Sequence, residues 1–290
     1  MASPRELRPR IASIASTSQI TRAMQMVAAA KMRKAQQATL MTRPFAQLLY
    51  RFQRRATMHA RNFTHPLLEV RAVRKRAVIL VGTDKGLCGA LNANLFRVAA
   101  QFDPATTVFI TAGKRAAQFV ARTGRQLAAE FTFTDSPRFA EARPIAGMAR
   151  DMFLKGEVDE VKVVVTSFVN TLTQRAVAVE FLPIGEIKGL KIPGAESEAD
   201  LTAATTEYVF EPSPHATLSF LFEGYLNIVV YRALLEAKAS EQSARMVAMK
   251  NATDSAADLI EDLTLEYNKL RQGNITNELL EISGGQLGND

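Results

Sequence analysis

Residues 20–40 read ITRAMQMVAAAKMRKAQQATL, a run built almost wholly from helix formers that carries Arg22, Lys31, Arg33 and Lys34 and no acidic side chain. What such a helix faces is set by the rest of the chain. Residues 1–62 hold twelve bases and one acid, residues 63–212 eighteen and seventeen, and residues 213–290 six and eleven, which together make the formal net charge of +7. A basic terminal arm is a common binder of nucleic acid. Complementary ends predict a different arrangement, in which the termini fold back on each other as paired helices and the middle forms a separate lobe.

Periodicity supports the pairing. In the last segment apolar or small residues recur at Phe222, Leu226, Val229, Ala233, Ala237, Ala244, Ala248, Ala252, Leu259, Leu263, Tyr267 and Leu270, with Glu241 and Ala256 completing the row. The 48 residues from 222 to 270 make 13 steps of about 3.7, nearer to a straight helix than to a 3.5-residue seam. Ser213 is placed as N-cap and Pro214 at the first helical position, and no proline follows. Roughly 60 helical residues would reach about 90 Å. On the first segment the stripe runs through Ile11, Ile14, Ile20, Met24, Val27, Ala28, Met32, Ala35, Ala38, Met41, Phe45, Leu48 and Phe52, and Pro44 is expected to kink or loosen the helix. Small and unbranched side chains there suit a close partner helix, and coiled-coil core is the ordinary role of such a stripe.

Between these arms RAVILVG, TTVFIT, AAEFTF, EVKVVVTSFV and RAVAVEFLP read as short strands, with helices expected near Ala90 to Gln101, Lys114 to Arg122 and Pro137 to Leu154. Alternation of this kind predicts a small layered α/β domain over residues 75–182, with a largely parallel sheet. Residues 183–212 are polar, rich in small residues and without clear period, and read as a loop. The four segments are therefore an N-terminal helix (1–62), the α/β domain (75–182), a linker (183–212) and a C-terminal helix (213–283).

Chemistry-bearing motifs are scarce. VGTDKGLCGALN follows a strand and opens a helix, but Gly82, Gly86 and Gly89 fit neither a dinucleotide fingerprint nor a P-loop, and AGKRAA lacks the upstream glycine and the hydroxyl. Cys88 is the single cysteine, so no intrachain disulfide forms, and it reads as a small packed side chain. His59, His65 and His215 have no metal-ligand spacing. No catalytic constellation, metal site or cofactor site is expected. No run of about 18 uninterrupted apolar residues predicts a membrane span, and MASPRELRPR leads into no apolar core of a signal peptide.

Three blocks read together, ITRAMQMVAAAKMRKAQ, TDKGLCGALNANLF and ASEQSARMVAMKNATDSAADLIEDLTLEYNKLRQGNITNELLEI, resemble in order, spacing and content the gamma subunits of rotary ATP synthases, over essentially the whole chain. The resemblance implies a non-catalytic central-stalk rotor. Its terminal helices would form a long antiparallel coiled coil inside the hexamer of alpha and beta subunits, with an inserted α/β, Rossmann-like central domain lower on the stalk beside the epsilon subunit and the membrane c-ring. It further implies that Met24, Lys31, Arg33 and Lys34 pass the acid-rich lever loops of the beta subunits, although solvent exposure is an equally good account of each base. By the same likeness Glu241 and Arg245 of SEQSARM, and Arg271, Gln272, Thr276 and Glu278 of RQGNITNEL, would meet the hexamer, while Tyr208, Phe210 and Glu211 would meet the membrane ring.

Departures from the family pattern are mild. Lys85 and Ala90 replace a commoner arginine and glycine, Asn277 a commoner glutamine, and the tail SGGQLGND is more polar than usual. The dithiol insert of chloroplast members is absent, which points to a bacterial inner membrane and a peripheral place on its cytoplasmic side. Two other readings stay open on residues alone. A nucleic-acid-binding coiled-coil protein predicts steeply salt-dependent DNA binding, and a nucleotide-dependent enzyme predicts ATP binding by the middle domain, whereas the rotor reading expects neither.

Overall fold

The computed structural model describes residues 4–59, 65–184 and 214–286. The expected cap at Ser213, most of the linker, and Tyr208, Phe210 and Glu211 lie outside the described residues. In chain order the elements are α1 (Pro4–His59), a 3-10 turn (Pro66–Leu68), β1 (Arg76–Val81), α2 (Leu91–Ala99), β2 (Thr107–Ala112), α3 (Lys114–Arg122), β3 (Gln126–Phe131), α4 (Phe139–Leu154), β4 (Glu160–Phe168), β5 (Gln174–Leu182) and α5 (Pro214–Gln286). The chain divides into two compact units, residues 30–244 and residues 1–29 with 245–290.

The larger unit is built on one five-stranded sheet of order β3-β2-β1-β4-β5. Three neighbouring pairs are parallel, and β5 returns antiparallel to β4. Parallel strands are buried on both faces, so the apolar run Ala77–Val81 alternates between two cores. Val78, Leu80, Phe109 and Val164 meet Leu95 and Ala99 of α2 and Ala116 and Val120 of α3 on one side. Ala77, Ile79, Val81, Ile110, Val163 and Val165 meet α4, through Ile145, Ala149 and Phe153, and α5, from Phe222 to Ala237, on the other. The C-terminal helix thus supplies half of one layer of the domain. The sheet core therefore draws on residues outside 75–182: without Phe222, Leu226, Val230 and Leu234 one sheet face would lack part of its cover.

The smaller unit is a pair of helices. Thr21 and Thr253 touch side chain to side chain at 2.7 Å. Thr21 stands eight residues before α1 leaves the unit and Thr253 eight after α5 enters it, so the two run in opposite senses. Covered positions on α1 include Leu7, Ile11, Ile14, Ser18, Thr21, Gln25 and Ala28, with Ala15, Met24 and Ala29 beside them; those on α5 include Met246, Met249, Thr253, Ala256, Ile260, Leu263, Tyr267 and Leu270. Both rows alternate steps of three and four, which is a seven-residue repeat and the mark of a left-handed supercoil. The row expected on α5 from Phe222 to Leu270 is covered at every position but one: Leu259 is 42% exposed, and its neighbour Ile260 is covered in its place. On α1, Ile20 and Val27 likewise face outward, at 58% and 54% exposure. Helix α1 continues as a single helix through Pro44.

Candidate functional site

Antiparallel pairing set by Thr21 and Thr253 puts Leu7 opposite Tyr267, Ile11 opposite Leu263 and Ile14 opposite Ile260, then Ser18 opposite Ala256 and Gln25 opposite Met249. The first three layers are apolar apart from the Tyr267 hydroxyl, and each of the three that follow contains at least one polar side chain. Thr21 also donates to Ser18 O at 3.0 Å and Thr253 to Met249 O at 2.9 Å. Each hydroxyl has a single proton, so two of these three contacts can be made at once, and the bond between helices forms when one threonine turns its proton from its own carbonyl to the other hydroxyl.

In the same register Pro4, the first described residue of α1, falls level with Leu270. Beyond it the described side chains of α5 are all exposed: Arg271, Gln272, Asn274, Ile275, Thr276, Asn277, Leu279 and Leu280. Thr276 turns its hydroxyl back to Gln272 O at 2.9 Å. The side chain of Glu278 lies outside the described residues. Met24 is half-buried beside the seam, and its neighbour Met26 is 63% exposed.

In the larger unit Arg33 and Lys34 are exposed, and Lys31 is partly so and paired with Asp135 of the β3–α4 loop. Asp135 also lies 3.5 Å from Lys238, which in turn reaches Glu241 at 3.0 Å. The Lys238 ammonium sits 4.9 Å from the centre of the Phe133 ring. The Lys238 side chain is only 2% exposed, so its charge depends on these neighbours to offset desolvation. Hydrogen bonding from Lys31, ahead of the nearby Lys238 charge, holds the Asp135 carboxyl below its ordinary value of 3.8. Next along α5, Ser240 donates to Thr166 O at 3.0 Å and Ser243 to Thr171 O at 2.7 Å.

The structure therefore brings Lys31 and Glu241 into one network through two residues the sequence reading passed over, Asp135 and Lys238. Glu241, 3% exposed, directs its carboxylate inward to Lys238, and Arg245 is buried as well. One signal for this was available: Lys238 and Glu241 stand one turn apart in an otherwise small and apolar stretch, ALLEAKASEQS.

The end of β1 is closed by its own side chains. Asn92 donates to Thr83 Oγ1 at 2.8 Å, and Thr83 to Lys85 O at 2.8 Å. Asp84 accepts from the Lys114 backbone N–H at 3.0 Å, so a carboxylate already satisfies the helix terminus where a phosphate would sit in a nucleotide site. Gly113 has φ +99, and a Cβ on it would come within 2.5 Å of Gly82 O, which accounts for glycine there. Among the described residues no group of three or more acidic, histidine or cysteine side chains is placed to hold a metal ion, and no helix is long and apolar enough to cross a membrane.

A sheet domain inserted between two long terminal helices is a fold found in central stalks of rotary complexes. The chain is similar to a subunit of the Tetrahymena thermophila mitochondrial ATP synthase central stalk and c-ring, with a TM-score of 0.60, 24% identity, and 80% of this chain and 99% of that one covered. A chain of the Euglena gracilis mitochondrial assembly of OSCP, F1 and c-ring matches with a TM-score of 0.67 and 19% identity over 98% and 94% of the two chains. A sequence model of the ATP synthase family matches residues 3–287. The ATP synthase gamma chains of Opitutus terrae and Methylacidiphilum infernorum are 43% and 41% identical to it, each over 99% of both chains. The chain belongs to the ATP synthase gamma-chain family.

Proposed function

We propose that this chain is the central-stalk rotor subunit of a proton-translocating ATP synthase, coupling rotation of a membrane c-ring to conformational change in a surrounding hexamer of alpha and beta subunits. Bond making and breaking belong to the beta subunits, and the chain itself carries no catalytic residue or cofactor. The observation that carries this reading is the helix tip after Leu270, where Ile275, Leu279 and Leu280 stand exposed and no described side chain of α1 covers them. Such a tip suits a sleeve, and a sleeve of three alternating pairs presents three equivalent sites to one asymmetric shaft.

Arg271, Gln272 and Thr276 are the contacts we assign to the tip, with Glu278 beside them, and Lys31, Arg33, Lys34 and Met24 those we assign to the beta lever loops. Exposed polar contacts of this kind contribute about 0–1 kcal/mol each, which lets rotation break them in turn. Glu241 and Arg245 act in this proposal from beneath, by holding α5 in place. Tyr208, Phe210 and Glu211 are assigned to the membrane ring, with epsilon alongside, at the cytoplasmic face of a bacterial inner membrane.

Purification from membranes tests the assembly: the chain is expected in stoichiometric amount with the hexamer, epsilon and delta, and recovery as a free soluble oligomer would overturn it. Titration of the isolated chain with labelled ATP and duplex DNA is expected to show no specific binding. Truncation after Leu270 is expected to weaken ATP synthesis and leave the cooperative melting of the α/β domain in place; loss of that transition would contradict the two-part architecture.

A further inference from the structure

The α/β domain grips the two long helices by different means. Helix α5 lies in its core from Phe222 to Ala237, and Ser240 and Ser243 fasten the next turn to the ends of β4 and the β4–β5 turn. On α1, among the described side chains, the hydrogen-bonded link to the domain is Lys31 with Asp135. Asp135 gives its Oδ2 to Lys31 and turns its Oδ1 to Lys238. One carboxylate from the β3–α4 loop therefore bridges both helices.

The loop is built to hold that carboxylate still. Thr134 donates its hydroxyl to Ser136 O at 2.8 Å, across Asp135 itself. Glu141 accepts from the Arg138 N–H at 2.7 Å and the Thr134 N–H at 3.3 Å, which ties both sides of the loop to the first turn of α4. Beneath it, Lys238 is fixed by Glu241 and the Phe133 ring. Each of the two cations faces a carboxylate, Lys31 facing Asp135 and Lys238 facing Asp135 and Glu241, which offsets part of the cost of burying the Lys238 charge.

Nearby on α1 the buried side chains are Met32 and Ala35, one flexible and one small, which resist rolling of a helix about its own axis only weakly. We infer that Asp135 is a positioning residue of the rotor: through Lys31 it fixes the rotation of α1 against the α/β domain, and with it the direction in which Arg33 and Lys34 point. On a helix those two residues project about 200° and 300° around from Lys31, so pinning one sets the other two. The consequence for coupling rests on the rotor reading; the joint itself is a property of this chain alone.

Spin labels on Met41→Cys and Leu172→Cys, both exposed, report the distance between α1 and the domain in the full chain, and Cys88 is buried and stays unlabelled. One narrow distance is expected with Asp135 present. Asp135→Asn and Lys31→Ala are each expected to broaden it, the double variant no further than either single one, and Asp135→Glu to restore it. An unchanged distribution in both single variants overturns the joint. In the assembled complex, Asp135→Asn is expected to keep ATP hydrolysis and lower the protons pumped per ATP. A broadened distance with an unchanged ratio overturns its role in coupling. Failure of the parent chain to assemble with a hexamer instead overturns the rotor reading, and leaves the distance measurement to decide the joint.

Discussion

The α/β unit and the helix pair are held together in opposite ways. In the sheet domain branched and aromatic side chains are stacked on both faces of β1, and Phe153, Ile79, Ile110 and Ile145 are wholly buried. In the helix pair three consecutive layers of the seam are Ser18, Thr21 and Gln25 against Ala256, Thr253 and Met249. Large apolar volume gives a stiff body that resists local change, whereas small and polar layers leave two helices aligned with little cohesion between them. A rotor needs both properties, in different parts of one chain.

The contrast can be broken most severely in the sheet domain. Phe153→Ala removes a ring packed beneath Arg71 at 4.8 Å and is expected to destabilise that unit by about 3–5 kcal/mol, measured by denaturant unfolding. A loss near that of the helix-pair variants would erase the difference between the two regions. Leu263→Ala in the coiled coil is expected to cost less, about 2–3 kcal/mol, because its site is bounded by one helix and not by a closed core. Amide exchange should rise over residues 4–29 with the domain still protected, and uniform exchange through both units would count against independent packing.

Thr21→Ala is expected to cost about 1 kcal/mol, the ordinary worth of one hydrogen bond, and Thr253→Ala about the same. The double variant should cost little more than either, since each already removes the shared bond; additive losses would mean that the two hydroxyls act separately. The smallest effect concerns acid. Because the Asp135 carboxyl is lowered from 3.8, its contribution is present above that value and disappears as pH falls through the lowered one. The stability difference between the parent chain and Asp135→Asn should therefore be constant above about pH 5, start to fall as pH passes 3.8, and vanish only below the lowered value. A difference that persisted in strong acid would assign the effect to something other than this carboxylate.

Much of the architecture could be read before any coordinates, because it rests on strong local signals. Helix α3 occupies Lys114–Arg122 as its pattern predicts, and the runs of valine and isoleucine in β1 and β4 mark buried parallel strands. The seam of the coiled coil could not be read so well. Hydropathy selects Ile20, Val27 and Met41, yet these face outward, and it passes over Ser18, Thr21 and Gln25, which face the partner helix. An apolar residue that another subunit covers looks the same in sequence as one covered by its own chain. Only the three-and-four spacing, followed through the polar positions, separates them.

The sites divide along the same line. That Arg33, Lys34 and Arg271 are exposed follows from the ordinary cost of burying an unpaired charge, which a sequence shows directly. Asp135 was invisible because it is joined to Lys31 across 104 positions and to Lys238 across 103, distances at which a single sequence carries no pairing signal. The contribution of α5 to the sheet core was hidden for a similar reason, since its heptad-like spacing does not say which part of a 73-residue helix meets a second helix and which a sheet.

Lys238 gives the joint a chemical signature of its own. A lysine attacks an acylating reagent only as the neutral amine and only where the reagent can reach it, and this nitrogen is walled by a carboxylate, an aromatic ring and the loop of Asp135. Its acylation therefore requires the loop to swing away first. The rate at which that one amine is modified, set against freely exposed lysines such as Lys34 in the same molecule, measures how often the rotor's joint comes apart.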